Sequence, residues 1–282
     1  MTKLAVPHRR AIQQDTSAAV LAAAVEENSI AYWRICAPRL PDGDFHEGDD
    51  LIWFTTEFAT APWFNQVLRT RLAPEDAEAR IEETRAMFSE RGHPMLWSVE
   101  SSAQPADLEA RLQRRGLERA GGVLTGMALG LDSLPDRDQP EGLKIQRVDN
   151  ERSLERWLQA YVEGFGMAEA AARPFFDLYR AIGFDEESPF RHYVGTLNGE
   201  TVASSTLFLG AGVASIWHVG TVPRARRQGI GAAMTLAPLR DARDLGVRAG
   251  VLGSSEVGLS VYEKLGFQTF GRIVQYKWTL DS

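Results

Sequence analysis

The chain has 282 residues, 44% hydrophobic and 24% charged, the composition of ordinary globular domains. At about 150 residues per domain it holds two domains or one large one, with no need of a disulfide or metal staple. Its 31 basic and 38 acidic residues leave a net charge of −7, the reverse of a nucleic-acid footprint, and its single cysteine, Cys36, excludes an internal disulfide and a cysteine zinc site and reads as a small half-buried hydrophobe.

In chain order, Arg9 and Arg10 ahead of the apolar run Ala18 to Val25 loosely mimic a secretion signal. However, Gln13, Gln14 and Asp15 precede the run, and Glu26 and Glu27 follow it. Asp15, Thr16 or Ser17 can cap it as an Ala-rich helix. No stretch reaches the roughly 18 apolar residues of a membrane span. The expectation is a cytoplasmic protein without membrane or nucleic-acid partners. Leu51 to Phe54 reads as a buried strand, and Asn65 to Leu72 as another. Pro74 opens a helix with Glu75, Asp76 and Glu78 at its positive end, Gly92 as its stop, and Ala77, Ile81, Thr84 and Phe88 on one face. Met95 to Val99 is a strand, Pro105 to Gly116 a helix, and Val123 to Leu131 a last strand. Trp33, Trp53, Trp63 and Trp97 fall in this half. They read as packing residues, with Trp33 and Trp63 also candidates to line an acceptor pocket.

Leu134 to Gly142 carries two prolines, a glycine and four charges, which is linker chemistry. Beyond it, Leu143 to Val148 reads as a strand. Ser153 to Phe165 and Ala168 to Ile182 read as helices, the second interrupted by Pro174. His192 to Leu197, Asn198-Gly199 and Glu200 to Leu209 form a hairpin signal. After a Gly210-Ala211-Gly212 turn come a long strand from Val213 to Val222, a basic loop and a helix. Ala249 to Gly253, a short helix from Leu259 and closing strands through Gln275 to Leu280 complete the chain. Leu108 to Leu117 resembles Gly258 to Phe267, and each follows a short strand ending in Ser-Ser. The halves therefore read as a weak internal duplication, 1–134 and 143–282.

The chemistry lies in Val219 to Met234. A strand stops at Pro223; Arg224, Arg226 and Arg227 follow; then Gly229-Ile230-Gly231 opens a helix. Free N–H groups at a helix start, with the helix dipole, form an anion site. The expected ligand carries phosphate or pyrophosphate. A P-loop needs Gly-Lys-Ser/Thr, and no lysine is near. A dinucleotide fingerprint needs a tighter turn and a third glycine where Met234 stands. The remaining design, Arg/Gln-x-x-Gly-x-Gly/Ala, fits Arg226-Arg227-Gln228-Gly229-Ile230-Gly231.

With Ser260-Val-Tyr-Glu-Lys-Leu-Gly-Phe267 some thirty residues on, residues 143–282 resemble the GNAT N-acetyltransferase superfamily. The resemblance implies an α/β fold with a mixed sheet, as two tandem GNAT-like domains, the N-terminal one degenerate. It also implies acetyl-CoA as co-substrate. Val219, Thr221 and Val222 would meet the thioester and pantetheine. Arg226, Arg227, Gln228, Gly229, Ile230, Gly231 and Ala232 would hold the pyrophosphate. Tyr262 would protonate the departing thiolate. Ser255 stands where the family often has Asn, and Pro238 should bend the helix after the loop. The base stays open among His218, Glu256 and a water-mediated or absent one. His218 is one residue out of the usual alternation, which a bulge would restore. The N-terminal half lacks the glycine loop and has Leu112 in place of the tyrosine. The expected activity is acetyl transfer to an amine of a small molecule or peptide, with a non-catalytic acyl-CoA sensor as the alternative and a dinucleotide oxidoreductase as a distant third. The sequence neither requires nor excludes an oligomer.

Overall fold

The computed structural model describes residues 17–58 and 61–280. In chain order these form α1 (Ala18–Cys36), β1 (Asp44–Glu47), β2 (Leu51–Thr55), β3 (Gln66–Thr70), α2 (Ala77–Glu90), β4 (Met95–Glu100), α3 (Leu108–Arg114), β5 (Glu118–Arg119), β6 (Leu124–Gly130), β7 (Leu143–Arg147), α4 (Glu151–Phe165), α5 (Glu169–Ile182), β8 (Phe190–Leu197), β9 (Glu200–Gly210), β10 (Val213–Thr221), α6 (Ile230–Asp244), β11 (Ala249–Ser254), α7 (Glu256–Glu263) and β12 (Gln268–Trp278). Packing divides them into two compact units. The larger joins the described residues up to Ala31 with Gly126–Phe270; the smaller joins Tyr32–Thr125 with the residues from Gly271. Asp15 and Thr16, the first two candidate caps, lie outside the described residues, and the carbonyl of Ser17 accepts from Leu21 N–H at 3.0 Å.

In the larger unit the sheet order is β6-β11-β10-β9-β8-β7. β10 runs parallel to β11 and antiparallel to β9, and the β9/β8 and β8/β7 pairs are antiparallel. The smaller unit repeats this scheme as β1-β2-β3-β4-β12. There β1/β2 and β2/β3 are antiparallel, β3/β4 is parallel, and β4/β12 closes antiparallel. So β3, α2, β4 and α3 repeat the order of β10, α6, β11 and α7, and the chain folds as two tandem α/β copies of one plan.

Local chemistry explains most elements. The buried residues of α2 are Ala77, Ile81, Thr84 and Phe88, the face expected from periodicity. α4 starts at a capping box between Asn150 and Ser153 and stops at left-handed Gly166, φ 65°. Asn198 and Gly199 have φ of 52° and 90°, and Ala211 and Gly212 of 51° and 77°, so both β-hairpins turn on consecutive left-handed residues. Their chains lock into β8/β9 and β9/β10.

Four expectations are corrected. α5 runs through Pro174 without a break, because a proline there removes one donor while buried Ala172, Phe175 and Phe176 hold the helix in place. The short helix begins at Glu256 rather than Leu259, and the closing strands are one strand, β12. The Pro-rich segment after Leu134 is bound rather than free. Arg240 donates to the carbonyls of Pro135 and Arg137 at 3.3 and 3.4 Å, and Leu143 N–H donates to that of Pro140 at 3.0 Å.

The main core of the larger unit sets α6 (Met234, Leu236, Leu239) against β9 and β10 (Ala203, Leu207, Ala214, Ile216), with Leu265 and Phe267 sealing one end. The smaller unit packs Ile81 and Phe88 of α2 on Val67, Trp97 and Tyr276. Trp33 is buried and stacks on Phe54 at 4.5 Å. Cys36 is buried, and burial pushes its thiol well above the usual range.

Candidate functional site

The β10–α6 loop is shaped by two left-handed residues, Arg227 at φ 62° and Gly229 at φ 79°. Glycine takes such a φ freely, and at a helix N-cap it leaves the amides ahead open. The N–H groups of Ala225 and Arg226 bond to Val222 and Pro223 carbonyls, and the next amide with a main-chain acceptor is Ala233, on Gly229. Among the described residues, the N–H groups from Arg227 to Ala232 have no main-chain acceptor. Ile230 and Ala232 bury their side chains in the core, so these two present main chain only. A run of amides at the positive end of a 15-residue helix is a diphosphate cradle in chemical type.

The loop arginines divide. Arg226 turns back, its Nε donating to the Thr221 carbonyl at 3.1 Å and its guanidinium to the Gly164 carbonyl at 2.9 Å. Arg224 pairs with Glu163 and donates to the Thr201 carbonyl at 3.2 Å. Arg227 and Gln228 are exposed, and Arg227 has no partner among the described residues. It is the one loop arginine left for a ligand.

Above the loop the sheet splits. β10 and β11 pair only at Ala214↔Gly250 and Ser215↔Val251. β10 then continues to Thr221 and β11 to Ser254 without a further pair, which opens a wedge bounded by two strand backbones. On its other edge β10 slips against β9 between Trp217 and Gly220. That bulge is the one needed to shift His218, and His218 itself takes φ 54°. Its ring lies with Trp157, Tyr161 and Phe175 at centroid distances of 5.5, 4.9 and 4.9 Å. Its Nδ1 is 3.4 Å from the Tyr179 hydroxyl. Burial lowers its pKa to about 3. Val219 packs part-buried against the core of the larger unit. Val222 turns inward and gives its N–H to the Val202 carbonyl.

Tyr262 lies on α7, its ring edge-on to Phe267 at 5.8 Å. Burial pushes its pKa up to about 12, opposed by a hydrogen bond with the Thr235 hydroxyl. Thr235 is fully buried and donates to the Gly231 carbonyl at 2.9 Å, which connects Tyr262 to the first turn of α6. Periodicity marks Thr235 only as a helix-face position, so the sequence reading missed it. Glu256 is exposed at the start of α7. Ser255 is the N-cap of that helix, without a side-chain cap bond. Among the described residues no group of three or more His, Cys, Asp or Glu is placed to hold a metal.

The smaller unit has the equivalent split, and it is filled. β3 and β4 pair at Gln66↔Leu96 and Val67↔Trp97 and then part. Gln104 enters between them, donating to the Thr70 carbonyl at 3.0 Å and accepting from Leu72 N–H at 3.1 Å. Trp97 Nε1 donates to the Thr70 hydroxyl at 2.8 Å. Glu75, Asp76 and Glu78 stand where α2 begins, the charge sign that repels phosphate.

Residues 136–256 match the family model of the acetyltransferase (GNAT) domain. A mycothiol acetyltransferase of Saccharomonospora viridis is 33% identical over 129 residues, 45% of this chain. The match spans only 36% of that relative's length. A mycothiol acetyltransferase of Pseudarthrobacter chlorophenolicus is 24% identical over 285 residues, 94% of this chain and 85% of that one. In fold, the chain resembles a GCN5-related N-acetyltransferase from Kribbella flavida at TM-score 0.70, 16% identity and 96% and 98% coverage. It also resembles a tandem GNAT protein from the clavulanic acid biosynthesis pathway at TM-score 0.57, 16% identity and 82% and 79% coverage. Residues 136–256 thus match an acetyltransferase (GNAT) domain, within a chain whose fold is similar to that of a tandem GNAT protein.

Proposed function

We propose that the chain moves an acetyl group from acetyl-CoA to a primary amine of a small molecule or peptide by direct attack of the amine on the thioester. One observation carries this reading: the β10/β11 wedge opens beside the unpaired amides of Arg227 to Ala232. A strand edge there suits the amide-bearing pantetheine arm, and the amides with Arg227 suit the diphosphate. The fit is one of donor chemistry and an open strand edge.

Acetyl-CoA supplies an activated acyl group. The chain's residues do the rest. The main chain at Val219, within the bulge, offers an N–H to the carbonyl oxygen as charge grows on it. Tyr262, protonated at every physiological pH, delivers a proton to the departing sulfur, and the proton that the attacking nitrogen loses passes through water and restores the phenol. A phenol pushed up to about 12 is a weaker acid than in water, but the same dry surroundings raise the proton affinity of the thiolate. The net charge of −7 favours a cationic amine by long-range attraction. In this reading the first of the two sequence copies, 1–134 and 143–282, has no cofactor site.

The test is release of CoA thiol over a panel of amines, with the acceptor of the mycothiol acetyltransferases as one member, alongside calorimetry with acetyl-CoA. Binding with turnover on one or more amines is the expected result. Binding without turnover on any amine assigns the chain to the non-catalytic acyl-CoA sensors. No binding contradicts both readings.

A further inference from the structure

His218 is the one residue of the β10 bulge that carries a ring and a left-handed φ, 54°. For a residue with a Cβ this conformation costs on the order of 1 kcal/mol and persists only where neighbours over-determine it. Here they do. The Ser204 hydroxyl donates to the His218 carbonyl at 3.1 Å. Tyr179 meets Nδ1 at 3.4 Å. Trp157 and Tyr161 of α4 and Phe175 of α5 enclose the ring. Behind it, Gly164 of α4 lies against the backbone of Gly220, where an added Cβ would be 3.1 Å from Gly220 Cα and Thr221 N. A base must reach the proton that it removes. This ring is enclosed by side chains of α4 and α5 on a residue that is only half-buried.

We propose that His218 is a positioning residue for the transfer reaction: its ring, seated between α4 and α5, holds the bulge that turns the main chain of Val219 and Gly220 toward the β10/β11 wedge. The inference rests on the transferase reading and narrows it, since it takes His218 out of the search for the base. The titratable groups facing the ring are Tyr161 from α4, Tyr179 from α5 and His192 from β8, and no carboxylate is among its contacts. Ring volume, rather than proton affinity, should therefore govern its effect.

The experiment compares His218→Phe, His218→Asn and His218→Ala with the wild type in acetyl-CoA affinity, kcat and the pH profile of kcat/KM. Phenylalanine keeps a ring without nitrogens. Asparagine accepts the left-handed φ without filling the space. The expected result is that Phe retains at least tenfold more kcat than Ala or Asn, with the acid limb of the profile in its wild-type place. Acetyl-CoA affinity should fall at least fivefold in Ala and Asn and markedly less in Phe. Equal losses in Phe and Ala, or a Phe variant that binds acetyl-CoA normally yet loses the acid limb, overturn the proposal in favour of a base. Wild type that binds acetyl-CoA without turnover refutes the transferase reading alone, and the affinity ranking still decides the role of His218. Should wild type bind no acetyl-CoA, the thermal midpoints decide: Phe well above Ala and Asn supports the seated ring, and equal midpoints overturn it.

Discussion

If Tyr262 is the acid of the proposed transfer, removing its hydroxyl takes the proton donor from the departing sulfur while leaving the ring against Phe267. Tyr262→Phe should lower kcat more than tenfold, within the range of lost general-acid catalysis, and leave acetyl-CoA affinity within about twofold by calorimetry. A variant with unchanged kcat would exclude Tyr262 as the acid. The loop arginines make a second contrast. Arg227 faces solvent without a partner, so Arg227→Ala should weaken acetyl-CoA binding and flatten its dependence on salt. Arg226 is held by two main-chain carbonyls, so Arg226→Ala should weaken binding through loop order, with the salt dependence intact. The buried imidazole of His192 and the half-buried one of His218 predict acid lability. Burial lowers both His192 and His218 to about 3, and His192 Nε2 has no partner. Between about pH 6.5 and 3 the unfolded chain binds protons that the folded chain does not, so stability falls on acidification. The slope should approach about 1.4 kcal/mol per pH unit for each imidazole. Urea denaturation at pH 7, 6 and 5 reads it, and equal midpoints would show that these rings are not held neutral.

At the scale of elements, the start of α6 and the seat of α4 carry the site. Gly229 at φ 79° makes Gly229→Ala cost about 1 kcal/mol in backbone strain, although an added Cβ meets only Pro140 at 3.7 Å. Acetyl-CoA affinity should drop with it. Trp157 is fully buried, stacks on Tyr161 at 5.1 Å and donates to the Ser205 carbonyl at 3.2 Å. Trp157→Ala should therefore destabilise by about 3–5 kcal/mol. Elements written in local chemistry were legible in the sequence: the α2 face, the Asn198-Gly199 hairpin and the Gly229-Ile230-Gly231 helix start. β1 was not, because an edge strand of Asp44, Phe45, His46 and Glu47 has almost nothing apolar to show. Nor was the retreat of Arg226 to Gly164, since the partners lie 62 positions apart and only the fold brings them together. The left-handed φ of His218 is likewise a product of the rings around it, and residue type alone gives no sign of it.

At the scale of the whole molecule, two copies of one plan differ in whether the parting strands stay open. In the larger unit the β10/β11 wedge has no main-chain pairs beyond Ser215 and Val251. In the smaller unit Gln104 takes the equivalent place and pairs with the β3 edge through Thr70 and Leu72, a contact that no local pattern announces. The missing glycine loop and Leu112 are the sequence signs on which the N-terminal copy is expected to be degenerate, because phosphate binding needs exposed amides and Leu has no proton to give. Among the described residues no helix is long and apolar enough to cross a membrane. A tandem chain with one open wedge should hold one cofactor site if the proposed function is right, and titration calorimetry with acetyl-CoA tests this most directly. The account predicts saturation at about one equivalent per chain, with affinity lost in Gly229→Ala and Arg227→Ala. No heat of binding, two equivalents, or full affinity in both variants would contradict it.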